Sequence, residues 1–313
     1  MGESAVRSYL NSIKGWAQKQ ILILARSVAV FLSPTCKYTE HVIYIGTSGF
    51  SYDDWKGHFY PEKMDKKDML AYYAGQLPGV EVNSTYYAIP AASTFESMCR
   101  RTPAEFRFVV KAHKDMTHIG EPSVEAFRGF REAIRPVAEV GKLGCVLAQY
   151  PWSFKNNSEN QGHLRRLKEY LPDIPTIVEF RNADWVTDET FALLRELDLG
   201  FCSVDEPHLK GLMPQVAAAT SSVAYVRFHG RNFKDWWQHE QAWQRYNYLY
   251  TEEELAEWVP RVRNLEEKSS DVYLFFNNHY KGKSAQNARM FAKMLGIALP
   301  EIAPPPHDGT LGL

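Results

Sequence analysis

The segment Thr176–Glu206, TIVEFRNADWVTDETFALLRELDLGFCSVDE, reads as one complete strand–helix–strand unit. TIVEFR (176–181) and FCSVDE (201–206) are short runs rich in β-branched and aromatic residues, as half-buried strands are. Each opens apolar and closes on polar or charged residues. Between them, Asp188–Leu197 repeats its apolar residues at helical spacing, and Thr187 stands where an N-cap is needed.

The same unit recurs in both directions along the chain. Further strand-like runs are VIYIGTS (42–48), GVEVNST (79–85), FRFVVKAH (106–113), CVLAQY (145–150), AYVRFHG (224–230) and VYLFFNNH (272–279). Helix-period segments separate them: Lys66–Leu77, Ala92–Arg101, Val124–Val140, His163–Tyr170, Glu252–Glu267 and Lys283–Leu295. Thr251 caps the acidic turn that opens the penultimate one. His208–Thr220, after the sixth strand, is at best a short helix. Strands alternating with helices imply right-handed crossovers and a parallel sheet. Eight such units are the number that closes a TIM (β/α)8 barrel, so the expected class is α/β and the expected body a single barrel domain over 42–298. An open doubly wound sheet is the alternative. It is disfavoured because no glycine-rich dinucleotide turn follows any strand, and GTSG at 46–49 is not that motif.

Composition agrees with one folded body. The 313 residues are 45% hydrophobic and 23% charged, and 36 Lys+Arg against 37 Asp+Glu leave a formal net charge of −1. That balance excludes a disordered chain and a basic surface spread over the whole molecule. The four cysteines, Cys36, Cys99, Cys145 and Cys202, form no CxxC motif, and together with the apolar settings of Cys145 and Cys202 they suggest a reducing cytoplasm. Ile21–Leu32 is the most apolar stretch, but it is too short to span a bilayer and Arg26 interrupts it. Residues 1–41 lack the strand–helix rhythm. They read as a peripheral extension, or as the product of an upstream start choice with the true start near Val42. Residues 299–313 form a Pro-rich tail.

Period-two alternation sorts the late residues of each strand. If Glu179 faces the barrel interior, so does Ile177. The same count places Glu81 with Asn83, Lys111 with His113, Asp205 with Ser203, Arg227 with His229, and Asn277 with Phe275. Carboxylates (Glu81, Glu179, Asp205), cations (Lys111, Arg181, Arg227) and two histidines would then meet at the C-terminal ends of the strands, where TIM barrels carry their sites. A structural ion-pair plug is the competing account, but a merely stable barrel fills such positions with Val, Ile or Leu.

Chemistry can be assigned to this ring. Glu179 is the expected base or nucleophile, with Asp205 its partner carboxylate. His229 is the expected acid, and Lys111 and Arg227 stabilise negative charge. Lys111 would form a Schiff base only with a lowered pKa, against which the neighbouring carboxylates argue. Asn83, Gln149 and Asn277 would orient substrate, with Glu81, His113 and Arg181 beside them. The loop after the last strand, Asn278 to Ser284 with Lys281 in it, leads into a helix N-terminus and suggests an anion site shared with Arg227, Arg231 and Lys234. Aromatic residues follow many strands (Tyr52, Trp55, Tyr60, Tyr86, Tyr87, Trp152, Trp185, Trp236, Trp237). They suit stacking on a sugar or base, or packing within loops. A divalent metal on His113, Glu179, Asp205, His229 and Glu81 is conceivable, but three cations in the same ring oppose it.

At these residues the chain resembles the YecE-like proteins, domain-of-unknown-function family 72. The matching segments are IYIGTSGFSYDDWKGHFYP (43–61), EVNSTYY (81–87), FRFVVKAHKDMTH (106–118), VEFRNADW (178–185), VDEP (204–207), YVRFHGR (225–231) and FFNNHYKGKSAQNA (275–288). The resemblance implies a TIM barrel and no activity. The functional expectation therefore rests on the ring itself. It is a hydrolase or lyase acting on a small anionic, phosphorylated sugar- or nucleotide-like substrate, with no membrane partner. Alternatives are cleavage of damaged DNA, and non-catalytic binding or sensing of a small anionic ligand or nucleic-acid end.

Overall fold

The computed structural model describes residues 42–118 and 123–300. The extension 1–41 with Cys36 and the apolar run at 21–32, and the tail from residue 301, lie outside the described residues. Eight strands close into a parallel barrel: β1 (Val42–Ser48), β2 (Gly79–Val82), β3 (Arg107–Lys111), β4 (Leu143–Gln149), β5 (Thr176–Glu179), β6 (Leu199–Asp205), β7 (Val223–Phe228) and β8 (Asp271–Phe276). Each pairs with the next in chain order, and β8 pairs with β1. All eight expected strands are present, most of them trimmed where the chain turns into polar loop.

Helices cover the outside. They span Met69–Ala74, Ala92–Arg100, Val124–Glu139, Ser158–Tyr170, Asp188–Glu196, Glu252–Ala256, Val259–Glu266 and Lys283–Met294. Both expected threonine caps form: Thr187 accepts the Thr190 N–H at 3.1 Å, and Thr251 accepts that of Glu254 at 3.3 Å. The segment read as one helix over 252–267 is two. Pro260 sits in the first turn of the second, where its missing N–H does no harm, but it cannot continue the first. The segment 208–220 contains no helix, so β6 returns to β7 through irregular chain.

Register fixes which side chains fill the barrel, because residues paired across parallel strands share a face. Tyr44 pairs with Tyr273, Tyr225 with Tyr273, and Gly46 with Phe275. The rings of Tyr44 and Tyr273 stack at 5.1 Å, and Arg107 lies 5.3 Å over Tyr44. The second core lies between sheet and helices, where Phe228 stacks on Phe276 at 4.4 Å and meets Phe291 and Trp258 edge-on. Thus aromatic layers occupy the interior, and the charged residues lie beyond them toward the strand ends.

Candidate active site at the barrel mouth

A single buried guanidinium organises the ring. Arg227, on β7, donates from Nη2 to Glu81 Oε1 of β2 and from Nη1 to Glu179 Oε2 of β5, both at 2.6 Å. The Tyr225 hydroxyl donates to the other Glu81 oxygen at 2.7 Å. Arg227 is 2% exposed and the two glutamates 0%. Burial alone would cost such charges several kcal/mol each, so their compensation decides whether the barrel closes. Burial would also raise the Glu179 pKa, but Arg181, Arg227 and His229 outweigh it and hold the carboxyl well below its usual range.

Glu179 Oε1 meets two more groups. Arg181 Nε stands 2.7 Å away as an ion pair whose N–H does not point along the contact. His229 Nε2 lies at 3.2 Å. Asn277 Nδ2 is 3.1 Å from His229 Nδ1 and can only donate there. That contact assigns the proton to Nε2, which gives it to Glu179. Burial, and then the charge of Arg181, push the imidazole pKa well down, so His229 is a neutral link between Asn277 and Glu179.

Above this ring opens a cavity of about 450 Å³. Three cations line it: Lys111, Arg181 and Arg227. Tyr52, Tyr86, Tyr87 and Tyr246 form aromatic walls, and Asn83, Gln149, Asn277 and His279 supply neutral polar groups. No carboxylate is among the lining residues, because Glu81 and Glu179 lie behind the guanidiniums. Lys111 Nζ donates to Gln149 Oε1 at 2.8 Å and stands 4.6 Å over the Tyr86 ring. Burial, then Arg227, lower its pKa to about 8 against the opposing pull of Glu179 and Glu81. The neighbouring carboxylates thus offset part of that lowering. Tyr52 stacks flat on His279 at 4.7 Å and donates to the Ser48 carbonyl at 2.7 Å, which fixes one wall.

The parity argument fails on β6. Val204 pairs with Arg227 and Cys202 with Tyr225, so Cys202 and Val204 face the interior while Ser203 and Asp205 face the helices. Asp205 is thus not the partner of Glu179. Its Oδ1 accepts from Tyr250 (2.7 Å) and Arg231 Nε (2.9 Å). Its Oδ2 accepts from Gln215 (2.6 Å), Trp258 Nε1 (2.7 Å) and Arg231 Nη2 (2.7 Å). The interior carboxylate is the next residue, Glu206, which the sequence reading missed although it lies in the VDEP segment. Its Oε1 accepts the Met213 N–H at 2.9 Å, and its Oε2, 3.6 Å from Arg181 Nη1, has no hydrogen-bond partner among the described residues. Burial raises Glu206 to about 6, with Arg181 opposing.

Other expected site residues lie apart from the cavity. His113 caps the turn Lys114–Thr117, its Nδ1 accepting the Asp115 N–H at 3.3 Å. Trp185 is fully buried against Phe180 and donates to the Phe154 carbonyl at 2.7 Å, a packing role. Arg231 is spent on Asp205 and Glu257. Asn278 turns away to Tyr248 and Asn287. In the loop after β8, the Lys281 N–H donates to the Asp54 carboxylate at 2.7 Å, so a side-chain anion already holds that loop. The aromatic residues divide. Tyr52, Tyr86 and Tyr87 reach the cavity, whereas Trp55, Tyr60 and Trp236 are buried in the loops and Trp152 and Trp237 are exposed. Tyr246 and His279 also line the cavity, His279 from the loop after the last strand. Among the described residues, no group of three or more His, Cys, Asp and Glu is arranged to hold a metal ion. Nor is any described helix long and apolar enough to cross a membrane.

Known proteins agree with this architecture. The family model described as protein of unknown function DUF72 matches residues 44–309, which includes most of the Pro-rich tail. The UPF0759 protein YunF of Bacillus subtilis is 32% identical over 281 residues, covering 84% of this chain and 98% of its own. A crystal structure of a DUF72 family protein from Thermotoga maritima shares 42% identity over 82% of this chain and all of its own, with a TM-score of 0.77. Another, from Enterococcus faecalis, shares 27% identity over 82% of this chain and 96% of its own, with a TM-score of 0.73. The family match spans the barrel and the segments that build its mouth, and the chain belongs to this family: it is a DUF72 protein.

Proposed function

We infer that the barrel mouth binds a small anionic substrate with a flat or ring-shaped face, phosphorylated sugar- or nucleotide-like, and transforms it as a hydrolase or lyase. The observation that carries this reading is the wall of the cavity, where Lys111, Arg181 and Arg227 stand among four tyrosines with no carboxylate. Cations in an enclosed, partly apolar site attract an anion far more strongly than they would in water. Tyrosine faces suit a sugar or base.

The division of labour differs from the sequence expectation. Glu179 has both oxygens engaged and a depressed pKa, which suits a counter-ion for Arg181 and Arg227 better than a base. His229 is neutral and held at both nitrogens, which suits positioning. Proton transfer falls instead to Lys111, which lines the cavity and titrates at about 8. Because Glu179 and His229 are both saturated, binding of the same ligand without turnover is the second reading. A cleft of about 450 Å³ suits one nucleotide-sized ligand and gives the nuclease reading less support.

Titration calorimetry with inorganic phosphate and a panel of sugar phosphates tests the reading. Saturable binding that weakens with added salt and is lost in Lys111→Met is the expected outcome. No heat with any anion overturns it. A ligand recovered chemically unchanged after long incubation selects the second reading.

A further inference from the structure

Lys111 is an unusual cavity lysine, and the role argued for it rests on the barrel mouth being an anion site. It ends β3 and pairs with Leu147, which pairs in turn with Ile177, so its side chain shares the interior face. No carboxylate lies within ion-pair distance of Nζ among the described residues. Its contacts are the Gln149 amide oxygen at 2.8 Å and the face of Tyr86. The orientation of that amide is fixed, because Gln149 Nε2 donates to the Tyr150 carbonyl at 2.9 Å. Two guanidiniums, Arg181 and Arg227, line the same cavity. An ammonium that is half-buried, has no carboxylate within ion-pair distance and stands near other cations loses its proton more easily, which is how an amine becomes a nucleophile near neutral pH. A lysine needed only for charge would be better served by a paired carboxylate.

We propose that Lys111 forms an imine with small anionic aldehydes or ketones, whose acid group is held by Arg181 and Arg227. The neutral Nζ attacks the carbonyl carbon, forming a C–N bond while the carbonyl π electrons pass to oxygen. That oxygen takes up the two amine protons and leaves as water, and a C=N bond remains. Protonation of the imine from solvent makes it an electron sink for breaking a bond at the adjacent carbon, which is lyase chemistry. Gln149 aims the nitrogen.

The test is reductive trapping. The protein is incubated with pyruvate, glyoxylate or glyceraldehyde 3-phosphate, and separately with uncharged acetone, in the presence of cyanoborohydride. Intact mass and peptide mapping then locate any adduct. A single adduct on Lys111 with the anionic probes, suppressed by inorganic phosphate and lost in Lys111→Arg, is the expected result. Its yield should rise with pH around 8 and exceed that at the exposed Lys66 and Lys67. Labelling of Lys111 no greater than that of Lys66, or equal labelling by acetone, overturns the proposal. No adduct alongside phosphate binding by calorimetry overturns the imine and leaves the anion site standing. No adduct and no phosphate binding overturns both. A melting curve of Lys111→Arg that matches the parent shows that a lost adduct is not lost folding.

Discussion

Glu206 shows how one residue can be hidden by its neighbour. The sequence offers two adjacent carboxylates after β6, and alternation assigns only one of them to the interior. The choice depends on a phase that FCSVD does not reveal, since apolar residues fall on both of its faces. Where a strand alternates clearly, the same reasoning succeeds: Glu81, Lys111, Glu179, Arg227 and His229 all reach the mouth. The structure also gives Glu206 a measurable signature. Its pKa rises from 4.5 to about 6, with burial as the first cause and Arg181 opposing. Between those values the folded protein keeps a proton that the unfolded chain has released, so stability falls as pH rises through this window. Glutamine mimics the protonated form. Glu206→Gln is therefore expected to stabilise the protein at pH 7 by about 2 kcal/mol and to leave stability unchanged at pH 4. Urea denaturation at the two pH values measures this. A variant destabilised at pH 7 but unchanged at pH 4 would mean that the Arg181 contact, not burial, dominates.

At the scale of elements, β6 and the chain after it were the least legible part. Seven of the eight strands lead into segments whose helical periodicity the sequence announces. β6 leads into irregular chain, which hydrogen bonds pin to Asp205 and Ser203 on its helix-facing side: Gln215 reaches Asp205, and the Ala218 N–H reaches Ser203. Such a network is invisible in sequence because its donors come from residues 215, 218, 231, 250 and 258. Asp205 thereby binds the β6 connection to the helix Val259–Glu266 and the loop after β7. Asp205→Ala would leave several buried donors without an acceptor, among them Trp258 Nε1 and the Tyr250 hydroxyl. Its removal is expected to cost about 3 kcal/mol or more in urea denaturation. Asp205→Asn, which keeps one acceptor oxygen, should cost less. In both folded variants phosphate affinity should match the parent protein, because Asp205 faces away from the cavity. A loss of binding at unchanged stability would restore Asp205 to the site.

At the scale of the molecule, the closed sheet explains why a chain of net charge −1 can carry a cationic cavity. Strands converging on one mouth bring Lys111, Arg181 and Arg227 into a small volume and place the balancing Glu81 and Glu179 behind them, so local field and total charge are decoupled. Closure has a further consequence. A barrel has no free edge where a widened strand pair can relax, so damage at one seam is shared by all eight strands. The β1–β2 seam is tightest at Gly46. A Cβ there would overlap the Gly79 carbonyl oxygen and press on the Tyr73 hydroxyl, whereas a Cβ on Gly129, within the helix Val124–Glu139, meets nothing within 4 Å. These two glycines make a controlled comparison. Gly129→Ala is expected to stabilise the protein by about 1 kcal/mol through helix propensity alone, with phosphate binding unchanged. Gly46→Ala is expected to cost about 3 kcal/mol, the upper range for forcing atoms into a filled space. Because β1 and β2 also carry Ser48 and Glu81, which hold Arg227, it should weaken phosphate binding as well, although it lies a full layer below the cavity. Urea denaturation and calorimetry on the same preparations measure both effects. If Gly46→Ala loses stability but keeps full phosphate affinity, the mouth is held by its local ion pairs and not by the closure of the barrel.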